Sequence, residues 1–315
     1  MENNNQNQGI SRTLLLVDII LVFLIISLVF VIYSDFHKPG KQRAQVLDTL
    51  ITFDAFNDLN LTAKSAYVFD LSQNKVIFKK NEFIQLPLAS IVKLMTVLIA
   101  TELLPPNSQV MIRKEFLSPE GDSGLFVNES WKLQELIDFS LVSSSNDAVR
   151  SLASVAGAFD LGNHDYDLGL KNFIEKMNIK AKEMGLGQTY FVNESGLDEG
   201  STSGGYGSAI DVAKLMQYIL ETRPVLLEAT KYSNLTVNSQ SQSHVIKNTN
   251  TGINQILGLI SSKTGFTDMA GGNLVVAFDA SIGRPIIVVV LGSTEQGRFD
   301  DVSALVKASL EYIRD

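Results

Sequence analysis

Ser90 and Lys93, in the stretch PLASIVKLMT at residues 87–96, are the residues of this sequence best suited to nucleophilic chemistry. A serine hydroxyl is a poor nucleophile at neutral pH unless a neighbouring base takes its proton. A helix is predicted here, and two residues three apart on a helix share a face. Apolar neighbours and a second cation nearby would lower the pKa of the Lys93 amine, which could then accept the Ser90 proton. Taken alone, a capping serine and a solvent-reaching lysine would explain the pair more simply.

Two further short motifs follow in the chain. VSSSNDA places Ser144 and Asn146 at a predicted corner between two helices, and SSKTGFTDMAGGN places Lys263, Thr264 and Gly265 at the end of a predicted strand. Separately, these motifs could be a helix-capping loop and a hairpin turn with an exposed lysine. With the first pair they form the ordered set S-x-x-K, S-x-N, K-T-G, which is typical of penicillin-binding proteins and class A β-lactamases.

Composition excludes several other kinds of chemistry. The 315 residues carry a net charge of −8, which argues against a basic nucleic-acid-binding face. The chain has no cysteine, so disulfides, thiolate metal sites and a cysteine nucleophile are excluded. His37, His164 and His244 do not have metal-ligand spacing. The composition therefore gives no sign of a thiolate or histidine metal site.

Residues 13–33 are apolar except for Asp18 and, as a helix, would span roughly 30 Å, the thickness of a bilayer core. We interpret them as an uncleaved transmembrane signal anchor, because no small-x-small cleavage site follows as in a cleaved signal peptide. Positive charges at Lys38, Lys41 and Arg43 would, by the positive-inside rule, keep the following domain in the cytoplasm. The predicted segments are a cytoplasmic N-terminus at 1–12, the anchor, a linker at 34–60 and a catalytic domain at 61–315.

The catalytic domain is predicted to be α+β. A strand hairpin around SQNK comes first, then a predominantly helical region, then three strand-length runs after residue 255 and a final amphipathic helix. Hairpin-length links between the last strands indicate an antiparallel sheet. We expect this sheet to be flanked by helices, with an all-helical subdomain at about 116–250.

Five segments resemble the low-molecular-mass D-alanyl-D-alanine carboxypeptidases, the S11 serine peptidases: LPLASIVKLMT, LVSSSNDA, VNESGLDEG, KTGFTDMAGGNLV and VVLGSTEQGR. The resemblance runs from about residue 62 to the C-terminus and implies a β-lactamase/transpeptidase-like fold. Two departures are Ser145, where these enzymes usually have glycine, and the loop DEGSTSGGYGSA.

The resemblance also implies a role for each site residue. Ser90 would be the nucleophile and Lys93 the general base, while Ser144 would relay a proton and Asn146 would hold both substrate and Lys93. Lys263 would supply a second positive charge, Thr264 would bind the substrate carboxylate, and Gly265 would allow close approach. The backbone N–H groups of Ser90 and Phe266 would form the oxyanion hole. Arg298 would help to fix the carboxylate, although a surface arginine at a helix start explains it equally well.

The implied function is a penicillin-binding D,D-carboxypeptidase of cell-wall peptidoglycan biosynthesis and cell shape, acting through an acyl-enzyme on Ser90. The implied reaction needs neither a metal nor an organic cofactor. Its partners would be peptidoglycan pentapeptides, β-lactam inhibitors and, through residues 13–33, the lipid bilayer. Peptidoglycan lies outside the membrane, so the resemblance places the catalytic domain outside, against the charge rule. Three alternatives remain open: a β-lactamase with Glu194 as deacylating base, a D,D-endopeptidase, and a catalytically silent peptidoglycan-binding protein.

Overall fold

A computed structural model describes residues 55–57, 59–117 and 124–314, which belong to one compact unit, Ala55–Asp315. The predicted N-terminus, the 13–33 segment and most of the predicted linker lie outside the described residues. Within these described ranges, no helix combines the length and the apolar character needed to cross a membrane.

Runs of strands and runs of helices follow one another along the described chain. The strands are β1 (Ser65–Asp70), β2 (Lys75–Lys80), β3 (Leu86–Pro87), β4 (Gln109–Met111), β5 (Ser130–Lys132), β6 (Tyr190–Phe191), β7 (Gly205–Gly207), β8 (Asn234–Asn238), β9 (Ser243–Lys247), β10 (Leu259–Thr267), β11 (Gly271–Asp279) and β12 (Pro285–Ser293). The α-helices are α1 (Lys93–Leu103), α2 (Leu133–Val142), α3 (Asn146–Asp160), α4 (Tyr166–Glu183), α5 (Ala209–Thr222), α6 (Val225–Glu228) and α7 (Gly297–Arg314).

The main sheet is antiparallel throughout, with the order β10-β11-β12-β1-β2. Strand β12 has an almost unbroken apolar sequence because both of its faces are buried. Ile286, Val288 and Val290 face one core, whereas the alternate residues Ile287, Val289 and Leu291 face the other. Strand β10 lies at the edge of this sheet, and the K-T-G motif lies in the middle of the strand rather than at its predicted end.

Each face of the sheet is covered by helices. Helix α7 packs on β11 and β12 and contributes Val302 and Leu305 to the smaller core. Phe56 belongs to this core too and stacks on Phe78 with ring centroids 5.2 Å apart, so the end of the predicted linker packs on the compact unit. Helices α1 to α5 build the larger core on the opposite face.

The predicted all-helical subdomain at 116–250 needs one correction. It contains the helices α2 to α6, but it also contains strands, among them the β8–β9 hairpin. Only Val237 and Ile246 are buried in this hairpin, one in each strand. The remaining positions are mostly polar, so the alternation that predicts a strand is weak here.

Candidate active site

The predicted nucleophile lies in a 3-10 turn, Ala89–Val92, that leads directly into α1. Lys93 is the first residue of α1 and is fully buried. Its Nζ donates a hydrogen bond to Ser90 Oγ at 2.8 Å. Backbone N–H groups in the first turn of a helix have no intrahelical acceptor, and the helix dipole favours negative charge there. The turn therefore holds a hydroxyl against an amine at a position suited to an anion.

Two further oxygen atoms surround the Lys93 amine. Nζ donates to Asn146 Oδ1 at 2.8 Å and to the Ser195 carbonyl at 2.9 Å. A neutral amine has two N–H bonds and one lone pair. If the two fixed acceptors take both N–H bonds, the lone pair is directed at the Ser90 hydroxyl. This arrangement suits Lys93 to receive the Ser90 proton.

The S-x-N motif forms the turn between α2 and α3. Ser144 has a left-handed backbone conformation with φ of 62°, which is uncommon for a residue with a side chain. Ser145 caps α3 by accepting a hydrogen bond from the Ala148 N–H at 3.1 Å. The capping hypothesis and the catalytic one thus apply to different residues, because Ser145 caps the helix while Ser144 and Asn146 contact the two motif lysines.

Lys263 is the second buried cation of the site, with only 1% of its side chain exposed. Its Nζ donates to Ser144 Oγ at 2.9 Å and to the Thr264 carbonyl at 3.0 Å. Burial lowers the pKa of Lys263 well below its usual value, and repulsion from Lys93 and Arg298 lowers it further. The site therefore disfavours holding all of these charges at once.

Gly265 brings β10 against the nucleophile turn. A Cβ at this position would lie 2.8 Å from the Leu88 carbonyl oxygen and 3.1 Å from the Ser90 nitrogen. No side chain fits between these backbones, so glycine is required for the approach. The neighbouring Thr264 hydroxyl lies 2.6 Å from the hydroxyl of Thr249.

Arg298 is buried, with 7% of the residue exposed, so its interpretation as a surface arginine is wrong. It lies in the first turn of α7, and its Nη1 donates to the Gly265 carbonyl at 2.9 Å. Its guanidinium carbon lies 5.8 Å from the centroid of the Phe266 ring, and that side chain is partly exposed. Its buried Nε has no hydrogen-bond partner among the described residues.

All nine predicted site residues are therefore neighbours in the structure. One hydrogen-bonded group joins Ser90, Lys93 and Asn146, and a second joins Ser144, Lys263 and Thr264; both are given by the bonds above. The β10 side of the site is formed by Gly265, Phe266 and Arg298. In the described ranges, no group of acidic or histidine side chains could hold a metal ion.

Two residues of this network have no predicted role. Ser195 contributes only its carbonyl oxygen, which accepts from Lys93. The Thr249 hydroxyl is hydrogen-bonded to the Thr264 hydroxyl, and the Thr249 N–H donates to the Val142 carbonyl of α2 at 3.1 Å. The VNESGLDEG segment was a signal for Ser195, whereas the sequence around Thr249 contains no motif that would identify it.

Comparison with known proteins agrees with this geometry. The model of the D-alanyl-D-alanine carboxypeptidase family, Peptidase_S11, matches residues 52–295. The chain is 30% identical over 256 residues to D-alanyl-D-alanine carboxypeptidase DacF of Bacillus subtilis, covering 79% of this chain and 62% of that protein. It is also 30% identical over 254 residues to a D-alanyl-D-alanine endopeptidase of Escherichia coli, covering 78% of this chain and 76% of that protein.

Solved structures share the fold. Penicillin-binding protein D2 of Listeria monocytogenes in its ampicillin-bound form superposes with a TM-score of 0.67 and 27% identity, covering 80% of this chain and 98% of that one. The predicted β-lactamase/transpeptidase-like α+β fold is thereby confirmed. The family match, covering most of the described body, leads to one assignment: the chain belongs to the S11 family of D-alanyl-D-alanine carboxypeptidases, which are peptidases.

Proposed function

We propose that this chain is a membrane-anchored serine D,D-carboxypeptidase that removes the terminal D-alanine from peptidoglycan stem peptides. The observation that carries the proposal is the position of the buried Lys93 amine, 2.8 Å from Ser90 Oγ and 2.8 Å from Asn146 Oδ1. A nucleophile, a base and a group that orients the base are then in place for acyl transfer.

In the proposed acylation step, Ser90 Oγ attacks the carbonyl carbon of the bond between the two D-alanines, and its proton passes to Lys93 Nζ. The carbonyl oxygen becomes negatively charged, and the backbone N–H groups of Ser90 and Phe266 stabilise it. Such oxyanion-hole donors are worth about a hundredfold to a thousandfold in rate each. Asn146 keeps the amine aligned with the hydroxyl during the transfer.

The leaving D-alanine needs a proton on its nitrogen. Ser144 Oγ accepts a hydrogen bond from Lys263 Nζ at 2.9 Å, so its hydroxyl can pass a proton to the D-alanine nitrogen and regain one from Lys263. The departing carboxylate is held by Thr264, with Arg298 behind it. A carboxylate arriving beside Lys263 favours the ammonium form of that lysine, which strengthens binding of the terminal carboxylate.

The edge position of β10 gives the substrate a place to bind. An edge strand has backbone donors and acceptors not used by a neighbouring strand, and an extended peptide can pair with them. Pairing along β10 would place the reacting carbonyl beside Gly265 and Ser90, which are in close approach. A water molecule then hydrolyses the acyl-enzyme, releases the shortened peptide and restores the Ser90 hydroxyl.

The decisive experiment incubates the purified full-length protein in detergent with a stem pentapeptide and follows the peptide by mass spectrometry. Loss of one alanine is expected, and it should disappear in Ser90→Ala. Fluorescent penicillin should label the wild-type protein and not this variant. An unlabelled, inactive wild-type protein with a native fold would favour a silent peptidoglycan-binding protein.

A D,D-endopeptidase is a second candidate, supported by the 30% identity to a protein named D-alanyl-D-alanine endopeptidase. Cleavage of cross-linked muropeptide dimers, compared with pentapeptide trimming by the same preparation, separates the two activities. The β-lactamase alternative depends on Glu194, whose Oε1 lies 3.3 Å from Arg150 Nη1. Fast nitrocefin turnover would support a β-lactamase, whereas a stoichiometric, long-lived adduct supports the peptidase.

A further inference from the structure

A turn with two exposed apolar side chains follows β2, the strand at the edge of the main sheet opposite β10. Phe83 is 63% exposed and Ile84 is 46% exposed. Single exposed apolar residues are common on protein surfaces, whereas adjacent large ones with a polar rim mark contact surfaces. The acyl-transfer site described above uses neither side chain.

Hydrogen bonds hold this turn in place. The Ile84 N–H donates to the Asn81 carbonyl at 3.0 Å, and the same carbonyl accepts from the Ser65 hydroxyl at 3.0 Å. The Asn81 side-chain amide donates to the Lys64 carbonyl at 2.9 Å. The turn is therefore fixed to the start of β1 while the side chains of Phe83 and Ile84 stay in solvent.

The charge around this turn is positive, although the whole chain carries a net charge of −8. Lys64 and Lys79 are exposed, and Lys80 follows Lys79 at the end of β2. Glu82, the only carboxylate of residues 79–84, has 14% of its side chain exposed and forms an ion pair with Lys79 at 3.0 Å. We call this surface the turn patch: Lys64, Lys79, Lys80, Phe83 and Ile84.

The chain enters its compact unit beside the turn patch. Lys80 Nζ donates to the Leu61 carbonyl at 3.0 Å, so the segment that leads into β1 lies against the end of β2. In the sequence, that segment follows the predicted linker and the apolar residues 13–33, the proposed membrane anchor. The linker after the proposed anchor therefore leads to this patch.

We propose that the turn patch docks on the surface of an anionic lipid bilayer. Phenylalanine and aliphatic side chains flanked by lysines are typical of segments that lie in the bilayer interface, where apolar groups enter to a depth of about 5–10 Å. Lysine ammonium groups are attracted to the anionic headgroups while their aliphatic stems cover apolar surface. The proposal goes beyond the proposed enzyme function and relies on the proposed anchor only to bring a bilayer close.

Docking would also limit how far the nucleophile can be from the bilayer. Ser90 follows Ile84 by six residues, so even a fully extended chain would place it within roughly 22 Å of Ile84. The site would then act on substrate near the membrane surface.

The test uses the full-length chain in lipid nanodiscs that contain phosphatidylglycerol. Because the chain has no cysteine, Ile84→Cys provides a single thiol for an environment-sensitive dye, and spin-labelled lipids in the disc should quench that dye. Ile282→Cys is the matched control. It lies on the fully exposed turn between β11 and β12, at the opposite end of the sheet, and its dye should stay unquenched.

Removing charge from the patch provides a second measurement. Each lysine near an anionic bilayer favours binding by about fivefold, so Lys64→Gln combined with Lys79→Gln should lower the ratio of docked to undocked protein about thirtyfold. The dye at Ile84→Cys reports this ratio. Lys114→Gln combined with Lys171→Gln removes the same charge from exposed positions in the helical region and should leave the quenching unchanged.

Three outcomes would overturn the proposal. The first is quenching at Ile84→Cys no stronger than at Ile282→Cys, and the second is equal quenching in phosphatidylcholine discs and in the Lys64→Gln, Lys79→Gln variant. The third is quenching that needs two chains in one disc, which would assign the patch to a second copy. A chain that does not enter the discs would contradict the proposed anchor instead, and the same dye with preformed phosphatidylglycerol vesicles then tests the patch alone.

Discussion

At the residue scale, two lysines that serve the site are buried, and burying a lysine lowers the stability of the folded protein. Lys263 has its pKa held well below its usual value by burial and by the charges of Lys93 and Arg298. In the unfolded chain the same residue regains an ordinary lysine pKa near 10.5. Between the folded and the unfolded pKa, the unfolded chain binds more protons than the native protein. The native protein is therefore destabilised by Lys263 at low and neutral pH, and less so as the pH rises.

Lys263→Met should consequently stabilise the protein at pH 7 by about 1–2 kcal/mol, because an apolar side chain of similar length does not lose hydration on burial. The gain should shrink as the pH rises towards 10.5, where the lysine of the unfolded chain also loses its proton. Urea unfolding of the variant and the wild type between pH 6 and pH 10 measures this gain in the free energy of unfolding. The exposed Lys307→Met is the control and should give no such pH-dependent gain. A gain that grew with pH would contradict the argument.

Lys93→Met tests the base. It leaves Ser90 without its proton acceptor, and general-base catalysis contributes about a hundredfold to ten-thousandfold in rate. Acylation by penicillin should therefore slow by about a thousandfold. The rate is measured by quenching the labelling reaction at successive times and quantifying the labelled protein on a gel. The Lys307→Met control should label at the wild-type rate. A folded Lys93→Met protein that labels as fast as wild type would show that another group takes the proton.

At this scale, the motif residues were predictable from the sequence, whereas the contacts of the Ser195 carbonyl and the Thr249 hydroxyl were not. Ser90, Asn146 and Lys263 were recognisable because their residue types and order carry chemical meaning. Ser195 acts through a carbonyl oxygen, which every residue has, so its type carries no signal. Thr249 becomes part of the site only because the chain folds back beside Thr264, a long-range contact that local patterns do not encode.

At the scale of elements, the approach of β10 to the nucleophile turn is controlled by Gly265. In Gly265→Ala the new Cβ would meet the Leu88 carbonyl at 2.8 Å, and a backbone atom cannot move aside as a flexible side chain can. The strand must shift, and a small displacement of reacting groups costs up to about a hundredfold in rate. Acylation by penicillin should slow by ten- to a hundredfold, while Gly187→Ala, in open space, should leave it unchanged. An unaltered acylation rate in Gly265→Ala would mean that the close approach is not needed.

The crossing of α3 and α4 depends on a pair of glycines, Gly157 and Gly169. A Cβ on Gly157 would collide with the Gly169 carbonyl, and one on Gly169 would lie 2.5 Å from the Ala158 nitrogen. Gly157→Ala forces the helices apart and should lower the free energy of unfolding by about 1–3 kcal/mol in a denaturant titration, the usual cost of overpacking. The same Gly187→Ala control should change it by less than about 0.5 kcal/mol. Equal effects of the two substitutions would contradict tight packing at this crossing.

Elements were predictable where their patterns were strong. The three apolar strands after residue 255 and the helices of the central region have clear periodicities, and the structure contains them. The β8–β9 hairpin has a single buried residue in each strand and was not predicted. Its position is set by contacts outside the hairpin, such as the 2.8 Å bond between His244 Nε2 and the buried Glu129 Oε1.

For the whole molecule, the sheet lies between the helical region and α7. The site lies where β10 meets the Ala89–Val92 turn before α1 and Ser144 before α3. The sheet order β10-β11-β12-β1-β2 places β1, near the start of the domain, beside β12, near its end. The periodicity of the sequence predicts the strands but not their order in the sheet. The resemblance to a known family was needed to predict that the three motifs converge.

Orientation across the membrane is the prediction that belongs to the whole chain. Lys38, Lys41 and Arg43 follow the apolar segment 13–33 and favour a cytoplasmic body, whereas the proposed substrate lies outside. We expect the catalytic domain to lie outside, on the side of the proposed substrate, because long domains cross the membrane largely regardless of flanking charge. The absence of cysteine permits a direct test, since a single introduced thiol is the only one in the chain.

Ile282→Cys places this thiol on a fully exposed turn between β11 and β12, and Asn5→Cys places it before the apolar segment. A membrane-impermeant maleimide should label Ile282→Cys in intact spheroplasts and Asn5→Cys only after lysis. The cysteine-free parent chain is the background control. The reverse pattern would put the catalytic body in the cytoplasm, away from peptidoglycan, and would exclude the proposed substrate even if the purified protein trims pentapeptides.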